Sequence, residues 1–361
     1  MNKILIAGAR AGKTTHLVKK AMALTPSPVL ITTFTEANEN SIKEMFYALN
    51  GCIPSNVTIM TWFSFLIAHG IKPYQSYLIK KNIKGISLSQ DIESKIRFYS
   101  NNDEKKYISE DGFLYTVSLS KGVCTIDDKS GGAIFRRLDK IFKYIFIDEA
   151  QDLAGFDLEI VLRLSKLTCS LLLVGDPRQT TYQTHYEQKN KKYNNGKLLT
   201  YIQDKKLKFD IDCVSLSETF RCHPQIIRLA NSLYPEYPQV TSNVSVSTGH
   251  DGIFWINENQ IVDYIKSYDP VVLRNSKSTA VPACASKINN FGNSKGLTYD
   301  RTLIIPTKPI LDWFIGKEMK PAALAKFYVA VTRARYSVGI VYKGLLPPSS
   351  EFGKDWNPSF S

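Results

Sequence analysis

Three clusters of residue types in this 361-residue chain are suited to phosphate chemistry. The first is AGARAGKTTHL, residues 7–17, where Gly12, Lys13 and Thr14 supply the second half of a phosphate loop, G-x-x-x-x-G-K-[ST]. Ala7 stands where the first glycine belongs, and Gly8 follows one place late. In such a loop the backbone N–H groups of Gly8, Ala9, Arg10, Ala11 and Gly12 converge on the anion. Thr14 and Thr15 open the helix behind it, and Lys13 reaches the terminal phosphates. The second cluster is YIFIDEAQD, residues 144–152, an apolar run that delivers Asp148 and Glu149 at its end. Asp148, with Thr14, is suited to Mg2+, and Glu149 to polarising an attacking water. The third is LLLVGDPRQTTY, residues 171–182, where Gln179 is placed to report on a γ-phosphate and Tyr182 to pass that state on. Taken alone, this last stretch reads more simply as a strand followed by a Gly-Asp-Pro turn. Together the three describe a site that hydrolyses a nucleoside triphosphate.

Such residues need strands to carry them. Short apolar runs rich in β-branched residues recur as KILIAG, VLITTFT, VTIMTW, YIFIDEAQD and SLLLVGD, several followed by helical stretches such as HLVKKAMAL and LEIVLRLSKL. That alternation predicts a parallel sheet covered on both faces, with ligands at the carboxyl ends of its strands. A second series, CVSLSETFR, GIFWINE, PVVLRN, RTLIIPT and YSVGIVYK, follows after about residue 205. Two doubly wound α/β domains in tandem are therefore expected, the first from 1–66 and 137–204 and the second from 205–361. Residues 67–136 have weaker periodicity and read as an insertion in the first. Residues 186–210 are lysine-rich; a solvated surface loop between domains and a nucleic-acid contact both fit. GLLPPSSEFGKDWNPSFS, at the C-terminus, reads as an irregular tail.

The formal charge of +13 gives the molecule a positive field, which favours polyanionic partners, nucleic acid before a membrane surface. No apolar run approaches the length of a membrane span, and KILIA is too short for a signal-peptide core, so a cytoplasmic protein is expected. The six cysteines are scattered without a C-x-x-C pair, which predicts neither zinc nor a disulfide.

In their order along the chain these motifs resemble the UvrD/Rep/PcrA branch of superfamily 1 helicases, which commonly carries alanine where Ala7 stands. The resemblance implies two RecA-like domains, ATP and Mg2+ as ligands, and single-stranded DNA or a tailed duplex as partner. TTFTEAN (32–38) and TWFSF (61–65) are similar to segments that touch single-stranded DNA in the family. Thr33, Phe34, Thr35, Thr61, Trp62 and Phe63 thereby join Tyr182 as candidate DNA contacts, Phe63 replacing the usual histidine. LSETFRCHPQIIRLAN (216–231) resembles the motif whose aromatic residue stacks on the base and whose arginine reaches the γ-phosphate, which implies those roles for Phe220 and Arg221. SKGLTYDRTLII (294–305) matches the next motif at Lys295 and Gly296, with Thr298 in place of a ribose-binding glutamate. FYVAVTRARYSVGIVY (327–342) makes Arg333 the second γ-phosphate arginine.

The departures carry information too. Thr15 replaces an arginine that covers the adenine, and the family's adenine-reading glutamine segment is not among the six residues before Ala7. ATP is expected with looser base selection. Where the family inserts its 2B subdomain, only a short connector near 279–287 remains, so the chain reads as domains 1A and 2A with a reduced 1B-like insertion at 67–136. The resulting expectation is an ATP-dependent, 3′-to-5′ single-stranded DNA translocase or helicase. Its rivals are a DNA-stimulated ATPase subunit that senses or drives for a partner such as a nuclease, a motor on RNA, and a metabolic P-loop NTPase. A protein partner replacing 2B is part of the first rival.

Overall fold

The computed structural model describes all residues except 9–10, 90, 181–188, 346 and 358–361. Its chain groups into two compact units. One comprises Met1–Leu5, Lys13–Gly175 and Gln183–Asp212, the other Ile6–Gly12, Asp176–Tyr182 and Cys213–Ser361.

The first sheet begins with β1 (Asn2–Ile6), β2 (Val29–Thr33) and β3 (Val57–Thr61). Inside the segment expected to be an insertion, β4 (Gly85–Ser87) and β5 (Phe113–Tyr115) form a separate two-stranded parallel sheet. The chain returns through β6 (Tyr144–Ile147), β7 (Ser170–Gly175) and β8 (Phe209–Asp212), which complete the order β3-β2-β6-β7-β1-β8. Every residue of β2 is buried, as a strand covered on both faces requires. The helix Leu119–Lys129 lies so close to the turn at Gly70 that a Cβ there would sit 2.5 Å from a Val123 methyl.

Two sequence expectations change here. The second strand series was expected from about residue 205, yet β8 pairs in parallel with β1, so the first sheet closes only at Asp212. The lysine-rich stretch expected as a loop carries the helix Leu198–Asp204, with Leu198, Tyr201 and Ile202 buried. Its lysines face outward while three apolar side chains one turn apart anchor it.

The second unit has a parallel pair, β9 (Glu218–Thr219) and β10 (Thr241–Ser242), and then β11 (Gly252–Asn257), β12 (Val271–Arg274), β13 (Ile288–Asn290), β14 (Tyr299–Ile304), β15 (Ala334–Tyr342) and β16 (Lys354–Asp355). The last six form a parallel sheet of order β13-β12-β14-β15-β11-β16. CVSLSETFR supplies only the two residues of β9. The tail expected to be irregular adds an edge strand instead, because Trp356 is buried beside Ile256, Tyr264 and Val341.

His250 illustrates how tightly this unit is packed. Its ring is stacked between Phe254 and Tyr268, at 3.9 and 3.7 Å between centroids, and Nε2 lies 3.0 Å from the Tyr264 hydroxyl. Burial, helped by the nearby Arg301 cation, pushes its pKa down from 6.5 to about 4. Below pH 6.5 the unfolded chain takes up a proton that the folded chain refuses, so stability falls until the folded pKa is reached. We expect a loss of roughly 3 kcal/mol between those two pH values, seen in denaturant melts and absent from His250→Gln. Equal pH slopes in both proteins would contradict this.

Candidate nucleotide site

Gly12 adopts a left-handed backbone, φ 78°, and the helix Lys13–Met22 starts immediately after it. The free N–H groups at a helix N-terminus favour an anion. The Lys13 Nζ lies 3.7 Å from Glu149 Oε1, with both side chains largely shielded from solvent. Thr14 is half-buried, and the Thr15 hydroxyl leans on Met45 Sδ at 3.9 Å.

Asp148 and Glu149 leave the end of β6. The Asp148 backbone N–H donates to the Thr32 carbonyl at 2.8 Å, extending the ladder with β2, and the Asp148 side chain is buried. Glu149 is held at φ 55°, ψ 35°, a left-handed conformation that a non-glycine residue occupies at a cost of about 1–2 kcal/mol. Gln151 Nε2 donates to Glu149 Oε2. A Cβ at Gly175, the last residue of β7, would lie 2.4 Å from Gln151 Oε1. The glycine therefore leaves room for the amide that orients Glu149.

A hydroxyl at Thr14 and a carboxylate at Asp148 are hard oxygen donors of the kind Mg2+ takes. Among the described residues no group of three or more His, Cys, Asp or Glu side chains could hold a metal. Such a set fits an ion bound through a few protein oxygens and substrate phosphates rather than in a closed protein cage.

The other unit carries a cluster of its own. Gly8 and Ala11 close the start of the loop, with Ala11 N–H donating to the Gly8 carbonyl at 3.3 Å and Gly8 N–H to the Leu216 carbonyl at 3.1 Å. A Cβ at Gly8 would lie 2.3 Å from a Val240 methyl. Ala9 and Arg10 are outside the described residues. Arg333, 2% exposed, donates from Nε to the Val329 carbonyl at 3.0 Å and from Nη1 to the Leu297 carbonyl at 3.4 Å. Its Nη2 donates to Gln179 Oε1 at 3.3 Å and to the Thr332 hydroxyl at 3.1 Å. Gln179 groups with Arg333 in this unit. Gly296, left-handed at φ 84°, immediately precedes Leu297. Phe220 is 69% exposed, and Arg221 is exposed beside it, its N–H donating to the Thr219 hydroxyl at 3.3 Å.

The candidate DNA contacts divide by burial. Thr33 and Thr61 are register partners at the ends of β2 and β3. Thr33 is fully buried, and its hydroxyl has no hydrogen-bond partner among the described residues. Thr35 and Thr61 are N-caps, accepting from the N–H groups of Asn38 at 3.1 Å and Ser64 at 3.2 Å. Trp62 is corrected from a stacking residue to a core residue: it is 1% exposed, and its indole N–H donates at 2.8 Å to Asp157, which is itself fully buried. Asp157 also accepts from Ser120. Phe34, half-buried, stacks on Trp62 at 6.3 Å, and Phe63 is half-buried. Tyr182 is outside the described residues.

Three residues in these networks had no assigned role. Gln151 and Arg178 sit inside the quoted DEAQD and GDPRQ stretches, where position was the available signal. Asp157 had none, since only the fold brings Trp62 to it.

A glycine loop before a helix, an acidic strand end and two six-stranded parallel sheets make up a tandem RecA-like α/β architecture. Residues 74–185 match the family model for the UvrD/REP helicase N-terminal domain. The fold as a whole is similar to those of solved helicase structures. It is similar to the crystal structure of Arterivirus nonstructural protein 10 (helicase), with a TM-score of 0.50 and 13% identity, over 97% of this chain and 61% of that one. The complex of Arterivirus nonstructural protein 10 (helicase) with DNA is similar at a TM-score of 0.50 and 12% identity, over 94% of this chain and 60% of that one. This chain thus spans about three fifths of the length of those helicases. No curated protein matches it. No helix among the described residues is long and apolar enough to cross a membrane.

Proposed function

We propose that the protein is an ATP-dependent translocase or helicase on single-stranded DNA, moving 3′ to 5′. The observation that carries this reading is Lys13 facing Glu149 at 3.7 Å, a phosphate-binding cation beside a carboxylate fit to activate water. Lys13 holds the terminal phosphates, Glu149 orients and deprotonates the attacking water, and Gln179, Arg221 and Arg333 stabilise charge on the γ-phosphate. Phe220, exposed and apolar, takes the base. Thr14 and Asp148 would hold Mg2+, which would neutralise phosphate charge. Phe34 and Phe63, at the ends of β2 and β3, offer faces to unstacked bases without reading their sequence. Residues 67–136 are taken as a reduced 1B-like insertion.

The test is steady-state ATP hydrolysis with and without single-stranded DNA of mixed sequence. Stimulation of about tenfold or more by DNA is the expected result, with RNA run in parallel to identify the strand. Hydrolysis that ignores every strand would leave an NTPase but no motor.

One observation favours a second reading. Only residues 275–287 join β12 to β13, where UvrD-like helicases carry their 2B subdomain. A protein partner then supplies the duplex contacts, and the isolated chain translocates or senses DNA without separating strands. Rapid unwinding of a tailed duplex by the chain alone rules this out.

A further inference from the structure

Arg178 has no role in the function proposed above, yet its side chain is only 3% exposed. It sits in the turn Pro177–Gln179 that follows β7 and Asp176. Its Nε donates to Asp176 Oδ1 at 2.7 Å, its Nη2 to the Ala7 carbonyl at 3.3 Å, and its Nη1 to the Pro238 carbonyl at 3.4 Å. The guanidinium lies over the Tyr328 ring at 5.4 Å and the Tyr237 ring at 5.8 Å. Burial alone would lower its pKa, but the Asp176 carboxylate, with Tyr328 and Tyr237 beside it, raises it. The group is a permanent cation.

Asp176, fully buried, distributes this anchor. Its second oxygen accepts from Gln179 Nε2 at 2.8 Å and from the Tyr328 hydroxyl at 3.2 Å. A carboxylate only accepts hydrogen bonds and a guanidinium only donates them. The Gln179 amide therefore has one orientation available here: nitrogen towards Asp176 and oxygen towards Arg333. Tyr328 belongs to the helix Pro321–Val331, and its carbonyl accepts from the Thr332 hydroxyl at 2.8 Å, which in turn accepts from Arg333. Both routes from Arg178 end at Arg333.

We propose that Arg178 is a positioning residue for the γ-phosphate pair. It ties the Ala7 carbonyl, at the entry of the glycine loop, to the Asp176 carboxylate that sets the Gln179 amide against Arg333. This rests on the nucleotide-hydrolysis reading above. Lysine cannot take the place of the arginine, because one ammonium lacks the planar fork that reaches Asp176, Ala7 and Pro238 between two rings.

The experiment compares wild type with Arg178→Met, Arg178→Lys and Tyr328→Phe, using Mg-ATP and saturating single-stranded DNA. It reads kcat, KM, ATP affinity by fluorescence displacement, and thermal unfolding. We expect kcat to fall about tenfold or more in both Arg178 variants, with KM and ATP affinity within about threefold, and by about threefold in Tyr328→Phe. Adding Arg178→Met to Gln179→Ala should cost little more than Gln179→Ala alone, since both break one linkage. A lowered unfolding temperature with unchanged kcat would mean packing only and would overturn the proposal; so would full rescue of kcat by Arg178→Lys. Should Arg178→Met fail to fold, Tyr328→Phe keeps the ring and removes only the hydroxyl, and a normal kcat there overturns the proposal. Wild type without hydrolysis overturns the underlying reading, and this inference with it. Active wild type with normal variants overturns this inference alone.

Discussion

Replacing Glu149 with glutamine should lower ATP hydrolysis by roughly 10²–10⁴-fold while ATP binding persists. The substitution keeps the side-chain volume, so the left-handed turn at Glu149 and the room left by Gly175 are undisturbed. It removes the negative charge facing Lys13 at 3.7 Å and the base that would take the proton of the attacking water. The Glu149 carboxylate then no longer competes with phosphate for the charge of Lys13. ATP affinity should accordingly stay level or rise, a split that a misfolded protein cannot produce. Chemical-quench single-turnover rates, beside binding of a fluorescent ATP analogue, read the two effects separately. A fall of less than about tenfold would remove Glu149 from the role of general base.

Arg333→Ala should be the other severe loss, on the order of 10³-fold or more in hydrolysis, the size attributed to an arginine that meets developing phosphate charge. Stability should fall with it. Arg333 is buried and donates to the carbonyls of Val329 and Leu297 and to Gln179, and its removal leaves these acceptors without that donor. Such losses cost about 1–3 kcal/mol for each group left unsatisfied. Arg221 provides the contrast. It is exposed, so Arg221→Ala should reduce hydrolysis while shifting stability by no more than about 0.5 kcal/mol. Rate and thermal unfolding measured on both variants separate chemistry from folding. Equal destabilisation by the two substitutions would contradict the burial difference on which this expectation stands.

Much of the backbone around the candidate site was legible because its signals are local. Gly12 is the turn that a helix beginning at Lys13 requires, and YIFI followed by Asp148 and Glu149 is a strand followed by an acidic turn. The apolar runs likewise became strands at β1, β2, β3, β6 and β7, and in the second unit at β11, β12, β14 and β15. Where apolar residues were few, the reading weakened. The lysines of 186–210 hid a helix anchored by three side chains, and the polar tail hid Trp356, whose burial makes β16 an edge strand.

The order of the elements could be read from the chain directly, because backbone turns, strand periodicity and helix starts depend on neighbours within a few residues. Tertiary structure alone decided which side chains meet. Trp62 became core because an aspartate 95 positions away accepts its indole N–H. Gln179 met Arg333 across 154 positions, and Asp176 met the Tyr328 hydroxyl across 152. Such pairings are chosen by the packing of whole strands and helices, and a hydrogen bond between distant residues leaves no periodic trace in the chain that makes it.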